Sequence, residues 1–299
     1  MTGALAVFDL GKTNSKLFVF APDGSLLDER RTKPVWKDFR GRRVLDHERL
    51  HNWMMGELAD VVSAHGVTGL MFSTHGCAFA LVRGSELLHP ILDYEQEVPD
   101  AVAAAIDPML PSYSETFTPW LPLGFSIARH IYWMETEEPE LFAATQWILC
   151  FPQYWVWRFT GRPLGEWSYI GAHNQLWAPL KRDFSSLVDR LGWRGKFPEI
   201  APAGAVVGET TITLADGTAH SLAVHNGVHD SNAALAYYRM TGLAGFTIVS
   251  TGTWVIIINL DCPLDALDGE RDMISNVTVN GEPAPSLRFM GGREFDVIS

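Results

Sequence analysis

The first twenty residues of the chain contain two apolar runs on either side of a short polar turn. The runs are ALAVFDL at 4–10 and KLFVF at 16–20, and the turn between them is GKTNS. Two strand-like runs separated by a turn of Gly and small polar residues are typical of a β-hairpin. Because a third strand is predicted at Leu26–Thr32, we expect the chain to begin with consecutive antiparallel strands.

Helical and strand patterns are mixed along the rest of the chain. Helices are predicted at 47–65, 122–136, 143–159, 180–191 and 231–240, and strands at 67–73, 78–82, 222–224 and 246–250. This mixture predicts an α/β fold, and the basic stretch Arg40–Arg43 is expected to be a solvated loop. A helix that ends in TGLAG predicts an N-terminal domain at 1–244 and a second domain at 245–299. That second segment is short for an independent α/β domain, so we expect it to be truncated.

Composition and charge limit the partners of the chain. Its 299 residues are 47% hydrophobic and 19% charged, with a formal net charge of −12. An acidic surface argues against nucleic acid or an anionic membrane surface as a partner. Three cysteines without CxxC spacing, and the absence of a signal-peptide pattern or a long apolar run, predict a cytoplasmic protein without a membrane span. A homodimer is a candidate assembly.

The turn of the first hairpin carries groups that can bind an anion. Its residues are Gly11, Lys12, Thr13, Asn14, Ser15 and Lys16. Backbone N–H groups in such a turn can converge on a phosphate, and lysines can neutralise its charge. Asp9 ends the preceding strand, where an acid can hold Mg²⁺ through water. The alternative is a polar turn with solvated lysines, and the P-loop pattern GxxxxGK[ST] is absent.

Two later segments have the same dual interpretation. GVHDSNAA at 227–234 places Asp230 at a strand-to-helix junction, where it is either a general base or an ordinary helix cap. VSTGTW, which contains Gly252 and Thr253, is either a second phosphate-binding turn or a simple turn at a strand end.

In this order, the three segments resemble the FGGY family of carbohydrate kinases. FDLGKTNSK resembles its first phosphate motif, GVHDSNAA its catalytic-aspartate segment, and VSTGTW its second phosphate motif in the form of the rhamnulokinase and fuculokinase branch. HPILDYEQE, WVWRFTGRPLGEWSYIGAHNQLW and FPEIAPAGAVVGE extend the similarity over nearly the whole chain. The resemblance implies an actin-like ATPase (ribonuclease H-like) fold, in which two related α/β domains bind ATP and sugar between them.

The resemblance also implies roles for individual residues. The ATP-binding residues would be Asp9, Gly11, Lys12, Thr13, Asn14, Lys16, Gly252 and Thr253. Asp9 would also bind Mg²⁺, and Asp230 would take the proton of the attacking sugar hydroxyl. The substrate residues would include Gly76, His229 and Ser231. His75 and Asp93 are further sugar-binding candidates, although a lone histidine is often structural and Asp93 with Glu95 could be loop acids.

These roles predict an ATP- and Mg²⁺-dependent kinase that phosphorylates a hydroxyl of a ketose or related polyol. The sugar remains open, because the family's polar residues after the strand at 67–73 are replaced by His75, Gly76, Cys77 and Ala78. The alternatives are a non-catalytic actin-like regulator that binds sugar or nucleotide, an actin-like phosphatase or acetate kinase relative, and a chain that is inactive because part of its cleft is absent.

Overall fold

The computed structural model describes residues 3–251, 255–289, 291 and 298. The strands are β1 (Ala4–Leu10), β2 (Ser15–Phe20), β3 (Leu26–Thr32), β4 (Trp36–Phe39), β5 (Arg42–Leu45), β6 (Val67–Thr74), β7 (Phe79–Arg83), β8 (Glu86–His89), β9 (Trp147–Cys150), β10 (Trp177–Ala178), β11 (Asp183–Phe184), β12 (Val206–Thr213), β13 (Ala219–His225), β14 (Val228–His229), β15 (Ile248–Thr251), β16 (Val255–Ile258), β17 (Met273–Val277) and β18 (Pro283–Phe289). The helices are α1 (His47–His65), α2 (Asp100–Ile106), α3 (Tyr113–Thr116), α4 (Ile127–Glu137), α5 (Pro139–Ala144), α6 (Phe151–Thr160), α7 (Trp167–Ile170), α8 (Ser186–Arg190) and α9 (Asp230–Met240).

The larger sheet has the strand order β12-β13-β6-β1-β2-β3, and β14 pairs with the end of β6. The first three strands are antiparallel, whereas β6 is parallel to β1 and β14 is parallel to β6. In this register Asp9 lies opposite Ser73, and His229 lies opposite Thr74. The carboxyl ends of three parallel strands therefore meet at one edge of the sheet, which brings the first hairpin close to the start of α9.

Alternation and helical periodicity explain why the first elements form. Every second side chain of β1 is buried, and Phe8 on that buried face stacks with Phe72 and contacts Trp53 on α1. Helix α1 begins after Asp46, whose carboxylate caps it, and ends at Gly66 with a left-handed φ of 62°. The hairpin, the third strand and the helix at 47–65 are thus confirmed.

A smaller antiparallel sheet has the order β15-β16-β18-β17. It docks on the larger part through β17, because the backbone N–H of Ser275 donates to the carbonyl of Phe117 at 3.0 Å. Val277 packs so closely on Gly171 that a Cβ at this glycine would overlap it. This docking holds β17 and β18 beside the edge at which β1, β6 and β14 end, and the α/β fold class is confirmed.

Three local predictions were wrong. The helix predicted at 143–159 is interrupted by β9, which pairs with β7, because a short apolar run fits a buried strand as well as a helix. The helix predicted at 180–191 is reduced to α8. Arg42 lies on a hairpin strand rather than in a solvated loop, since its guanidinium is buried against Glu137 at 2.8 Å and Glu138 at 3.2 Å.

Candidate active site

A cavity of about 200 Å³ lies at the edge where the parallel strands end. The cavity is lined by the loop after β6, the start of α9 and the smaller sheet, and also by Tyr94, Phe125 and His173. Representative lining residues are His75 and Gly76 from the loop, Asp230 and Ser231 from the helix, and Asn276 and Arg288 from the sheet. Of the predicted residues, His75, Gly76, His229, Asp230 and Ser231 are therefore brought together.

Asp230 is the first residue of α9, and its side chain is 40% exposed. The backbone N–H of Ser231 donates to its Oδ1 at 2.5 Å, and the Ser231 hydroxyl lies 3.2 Å from the same atom. A negative charge at a helix N-terminus also interacts favourably with the helix dipole. The cavity wall thus carries a solvent-accessible carboxylate that can accept a proton.

The orientation of His229 follows from its hydrogen bonds. The Asn232 amide nitrogen lies 3.3 Å from the carbonyl of Ser168, which can only accept, so this nitrogen is a donor. It therefore also donates to Nδ1 of His229 at 2.9 Å, which leaves the ring proton on Nε2. That Nε2–H lies 3.5 Å from Oδ1 of Asp230. Burial lowers the pKa of His229, so a neutral ring with its N–H toward the carboxylate is the favoured form.

Gly76 is required by the packing of this histidine. A Cβ at Gly76 would lie 2.7 Å from Nε2 of His229, closer than real side chains approach. On another side, the ring of Tyr169 contacts the His229 ring edge-on at 5.6 Å. The Tyr169 hydroxyl also accepts the backbone N–H of Ala78 at 2.9 Å and lies 3.1 Å from the carbonyl of His75. Tyr169 thus fixes the positions of both the loop after β6 and the His229 ring.

His75 presents a hydrogen-bond acceptor to the cavity. Its Nδ1 lies 2.8 Å from the carbonyl of Gly76, so Nδ1 carries the proton and Nε2 carries the lone pair. Burial is the largest cause of its lowered pKa. The rings of Tyr94 and Phe151 lie at centroid distances of 5.4 and 5.0 Å and hold the imidazole in place.

Asp9 on the first hairpin lies beside the cavity, whereas the turn of this hairpin lies outside the cavity. The pKa of Asp9 is raised by burial and by the negative charge of Asp230, and Lys16 partly opposes this. The turn closes through the N–H of Gly11, which donates to the carbonyl of Asn14 at 3.0 Å. A Cβ at Gly11 would lie 2.9 Å from that oxygen, so the close turn favours glycine. Thr13 and Asn14 are exposed at its tip.

The ammonium of Lys12 lies away from the phosphate position that the family resemblance implies. It pairs with the fully buried carboxylate of Asp93 and lies 4.1 Å from the ring of Trp36 and 4.6 Å from the ring of Tyr94. Arg43 Nε is 3.2 Å from the second oxygen of Asp93. Two cations thus balance the charge of Asp93, which does not belong to the cavity wall. The roles predicted for Lys12 and Asp93 remain predictions.

The cavity residues that sequence reasoning missed include Cys77, His173 and Asn276. Cys77 and His173 have positive φ angles of 69° and 36°, which are uncommon for residues with side chains and often mark functional sites. No sequence pattern marked them in advance. Gly252 and Thr253, the predicted second phosphate turn, lie outside the described residues.

Comparison with known proteins identifies the family. The family model of the carbohydrate kinase FGGY C-terminal domain matches residues 243–299. A crystal structure of a carbohydrate kinase from Novosphingobium aromaticivorans is similar over 99% of this chain, with 38% identity and a TM-score of 0.91. Residues 243–299 therefore belong to the FGGY family of carbohydrate kinases, and the whole chain is similar to a carbohydrate kinase. The actin-like fold expected from the resemblance is thereby confirmed, whereas the rhamnulokinase and fuculokinase branch remains a prediction.

More distant solved structures share the fold alone. A xylulose kinase from Rhodospirillum rubrum has 16% identity and a TM-score of 0.76, with 95% of this chain and 60% of that chain covered. A gluconate kinase from Lactobacillus acidophilus has 13% identity and a TM-score of 0.76, with 95% and 59% covered. This chain spans 65% of the length of the Novosphingobium protein. Comparison with curated proteins gave no match.

Two further structural findings concern membranes and metals. In the part of the chain that the structure describes, every helix is too short or too polar to cross a membrane. Within the same residues, no group of three or more His, Cys, Asp or Glu side chains is arranged to hold a metal ion.

Proposed function

We propose that the protein with this chain is an ATP-dependent kinase that transfers the γ-phosphate of Mg-ATP to a hydroxyl of a ketose or related polyol. One observation carries the proposal: Asp230 lies on the cavity wall and also close enough to Asp9 to raise its pKa. The proposed proton acceptor would therefore act beside the acid that precedes the turn of the first hairpin.

In the proposed reaction, the acceptor hydroxyl binds in the cavity and gives its proton to Asp230 while it attacks the γ-phosphate. His229 orients the Asp230 carboxylate through its Nε2–H, and Ser231 donates to Oδ1 of the same carboxylate. The protein would hold the two reactants in line, and such positioning is the main contribution of a kinase to phosphoryl transfer.

The ATP phosphates would bind at the hairpin turn through backbone N–H groups and through Thr13, Asn14 and Lys16, with Gly252 and Thr253 as the second clamp. Lys12 would act here only if its ammonium left Asp93. Positive charge at Lys16 and the donors of the turn would stabilise the charge on the transferred group.

Asp9 and Asp230 suit a magnesium ion. Carboxylate oxygens are preferred Mg²⁺ ligands, and two acids with water and phosphate oxygens are a common set. Burial and, second, repulsion from Asp230 raise the pKa of Asp9, and a cation would relieve that repulsion. When bound, the ion would neutralise charge on the phosphates, and Asp9 would hold it through water. A cytoplasmic location and a homodimer remain predictions.

The test is acceptor-dependent ADP release by the complete protein, measured with a panel of ketoses and polyols. Asp230→Asn should lower turnover by about 10²–10⁴-fold, the usual contribution of a general base. Asp216→Asn is the matched control, because Asp216 is an exposed turn acid, and it should retain wild-type turnover. Wild-type turnover in Asp230→Asn would refute the assignment of the base. A wild-type protein that binds ATP and sugar without releasing ADP would instead support the non-catalytic regulator.

A further inference from the structure

His173 lies in the turn that follows α7 and contributes to the cavity wall. Its Nδ1 is 3.0 Å from the carbonyl of Phe125. Because a carbonyl can only accept, Nδ1 carries the proton and Nε2 carries the lone pair. Within the described part of the chain, no protein group hydrogen-bonds to Nε2. Nε2 is therefore an unused acceptor on a residue of the cavity wall.

The charge state of this ring is fixed. Burial, reinforced by the positive charge of Arg288, lowers the pKa of His173 to about 3. The imidazole is neutral throughout the physiological range, so Nε2 remains an acceptor at any pH used in an assay. The left-handed φ of 36° shows that the surrounding turn holds the ring in this position despite a backbone cost.

Asn276 on β17 supplies a second unused acceptor. Its side chain is 95% buried at the cavity wall, and its Oδ1 has no hydrogen-bond partner among the described residues. Its Nδ2 lies 3.5 Å from the hydroxyl of Ser286. A buried amide oxygen without a partner is unfavourable unless a ligand or water donates to it. The neighbouring Ser275 bond to Phe117 fixes the strand, so the position of the amide is set by the docking of the smaller sheet.

We propose that His173 Nε2 and Asn276 Oδ1 bind acceptor hydroxyls other than the one that reacts, and thereby select a neutral ketose or polyol with at least three hydroxyls. This inference rests on the proposed kinase function. The wall also carries His75, whose Nε2 has the lone pair, and the carboxylate of Asp230, so several acceptors line the cavity beside the donors of His229 and Arg288. Hydroxyls can donate to these acceptors, whereas a carboxylate has no proton to give. Arg288 on the same wall would favour an anion, which makes a sugar acid the informative competitor.

The test is titration calorimetry and kinetics on the complete protein, with D-xylulose, D-ribulose, xylitol, ribitol and D-gluconate as probes. His173→Asn keeps an N–H near the Nδ1 position, tolerates a left-handed φ and removes the Nε2 acceptor. Asn276→Leu removes the amide at similar volume. Each variant should weaken binding of the best neutral probe about tenfold, as expected for one lost hydrogen bond. The acceptor KM should rise in parallel, while kcat and the KM for ATP should be unchanged.

A conservative variant separates ligand contact from structure. His173→Gln places an amide near the Nε2 position, so it should recover part of the acceptor affinity that His173→Asn loses. Unchanged binding in both His173→Asn and Asn276→Leu would overturn the inference. So would tighter binding of D-gluconate than of every neutral probe, or no binding of any neutral probe by the wild type. Binding without phosphorylation would overturn only the kinase proposal, whereas phosphorylation with unchanged acceptor KM would overturn only the subsite.

Discussion

The contact between Gly76 and His229 gives the sharpest test of how the proposed base is held. Gly76→Ala would place a Cβ 2.7 Å from Nε2 and 3.3 Å from Cδ2 of His229. Gly76 does not have a positive φ, so the substitution adds no backbone strain and acts by crowding alone. The ring cannot retreat easily, because Tyr169 packs on it and Asn232 holds its Nδ1.

Overpacking of a buried contact typically costs about 1–3 kcal/mol, so we expect denaturant unfolding to show a loss of about 2 kcal/mol in Gly76→Ala. Acceptor-dependent turnover should fall about tenfold, because displacement of His229 removes its Nε2–H from Asp230. Gly195→Ala is the control, since a Cβ there meets nothing within 4 Å, and both quantities should stay at the wild-type level. Wild-type stability and turnover in Gly76→Ala would show that His229 moves freely, which would contradict a fixed position of its ring.

Two further predictions concern buried charges. Lys12→Met removes one of the two cations that face buried Asp93, so we expect a loss of about 2 kcal/mol in denaturant unfolding. Lys16→Met should leave stability unchanged and raise the KM for ATP, and equal effects of the two variants on that KM would contradict the placement of Lys12. Burial raises the pKa of Glu166 from 4.5 to about 7, so its protonated form stabilises the fold below pH 4.5 and this contribution is lost as pH rises through about 7. The melting-temperature difference between wild type and Glu166→Gln should therefore change between pH 5 and 8. A constant difference would contradict the raised pKa of Glu166.

The elements that sequence predicted well are those specified by local pattern. Strand β1 alternates buried and partly exposed residues, and α1 has both a capping acid at Asp46 and a terminating glycine at Gly66. The start of α9 at Asp230 follows from the small residues after a short strand. The strand β9 was missed because Ile148 and Leu149 give an apolar run that is too short to distinguish a strand from a buried helix.

The parts of the site that sequence could not predict depend on contacts between distant segments. Lys12 finds its partner Asp93 81 residues further along the chain, and no local pattern links the two. His173 reaches the cavity through a left-handed backbone, and Asn276 reaches it only because Val277 packs on Gly171. Sequence motifs therefore located the proposed base and phosphate turn, whereas the acceptor wall required the packed structure.

The proposed function gives this chain the acceptor and base side of a sugar kinase. Phosphorus NMR of the complete protein with Mg-ATP and the best neutral acceptor tests it most directly. A sugar phosphomonoester signal should grow in step with ADP and should be lost in Asp230→Asn. Inorganic phosphate in place of that signal, or ATP that stays intact while the acceptor is bound, would contradict it.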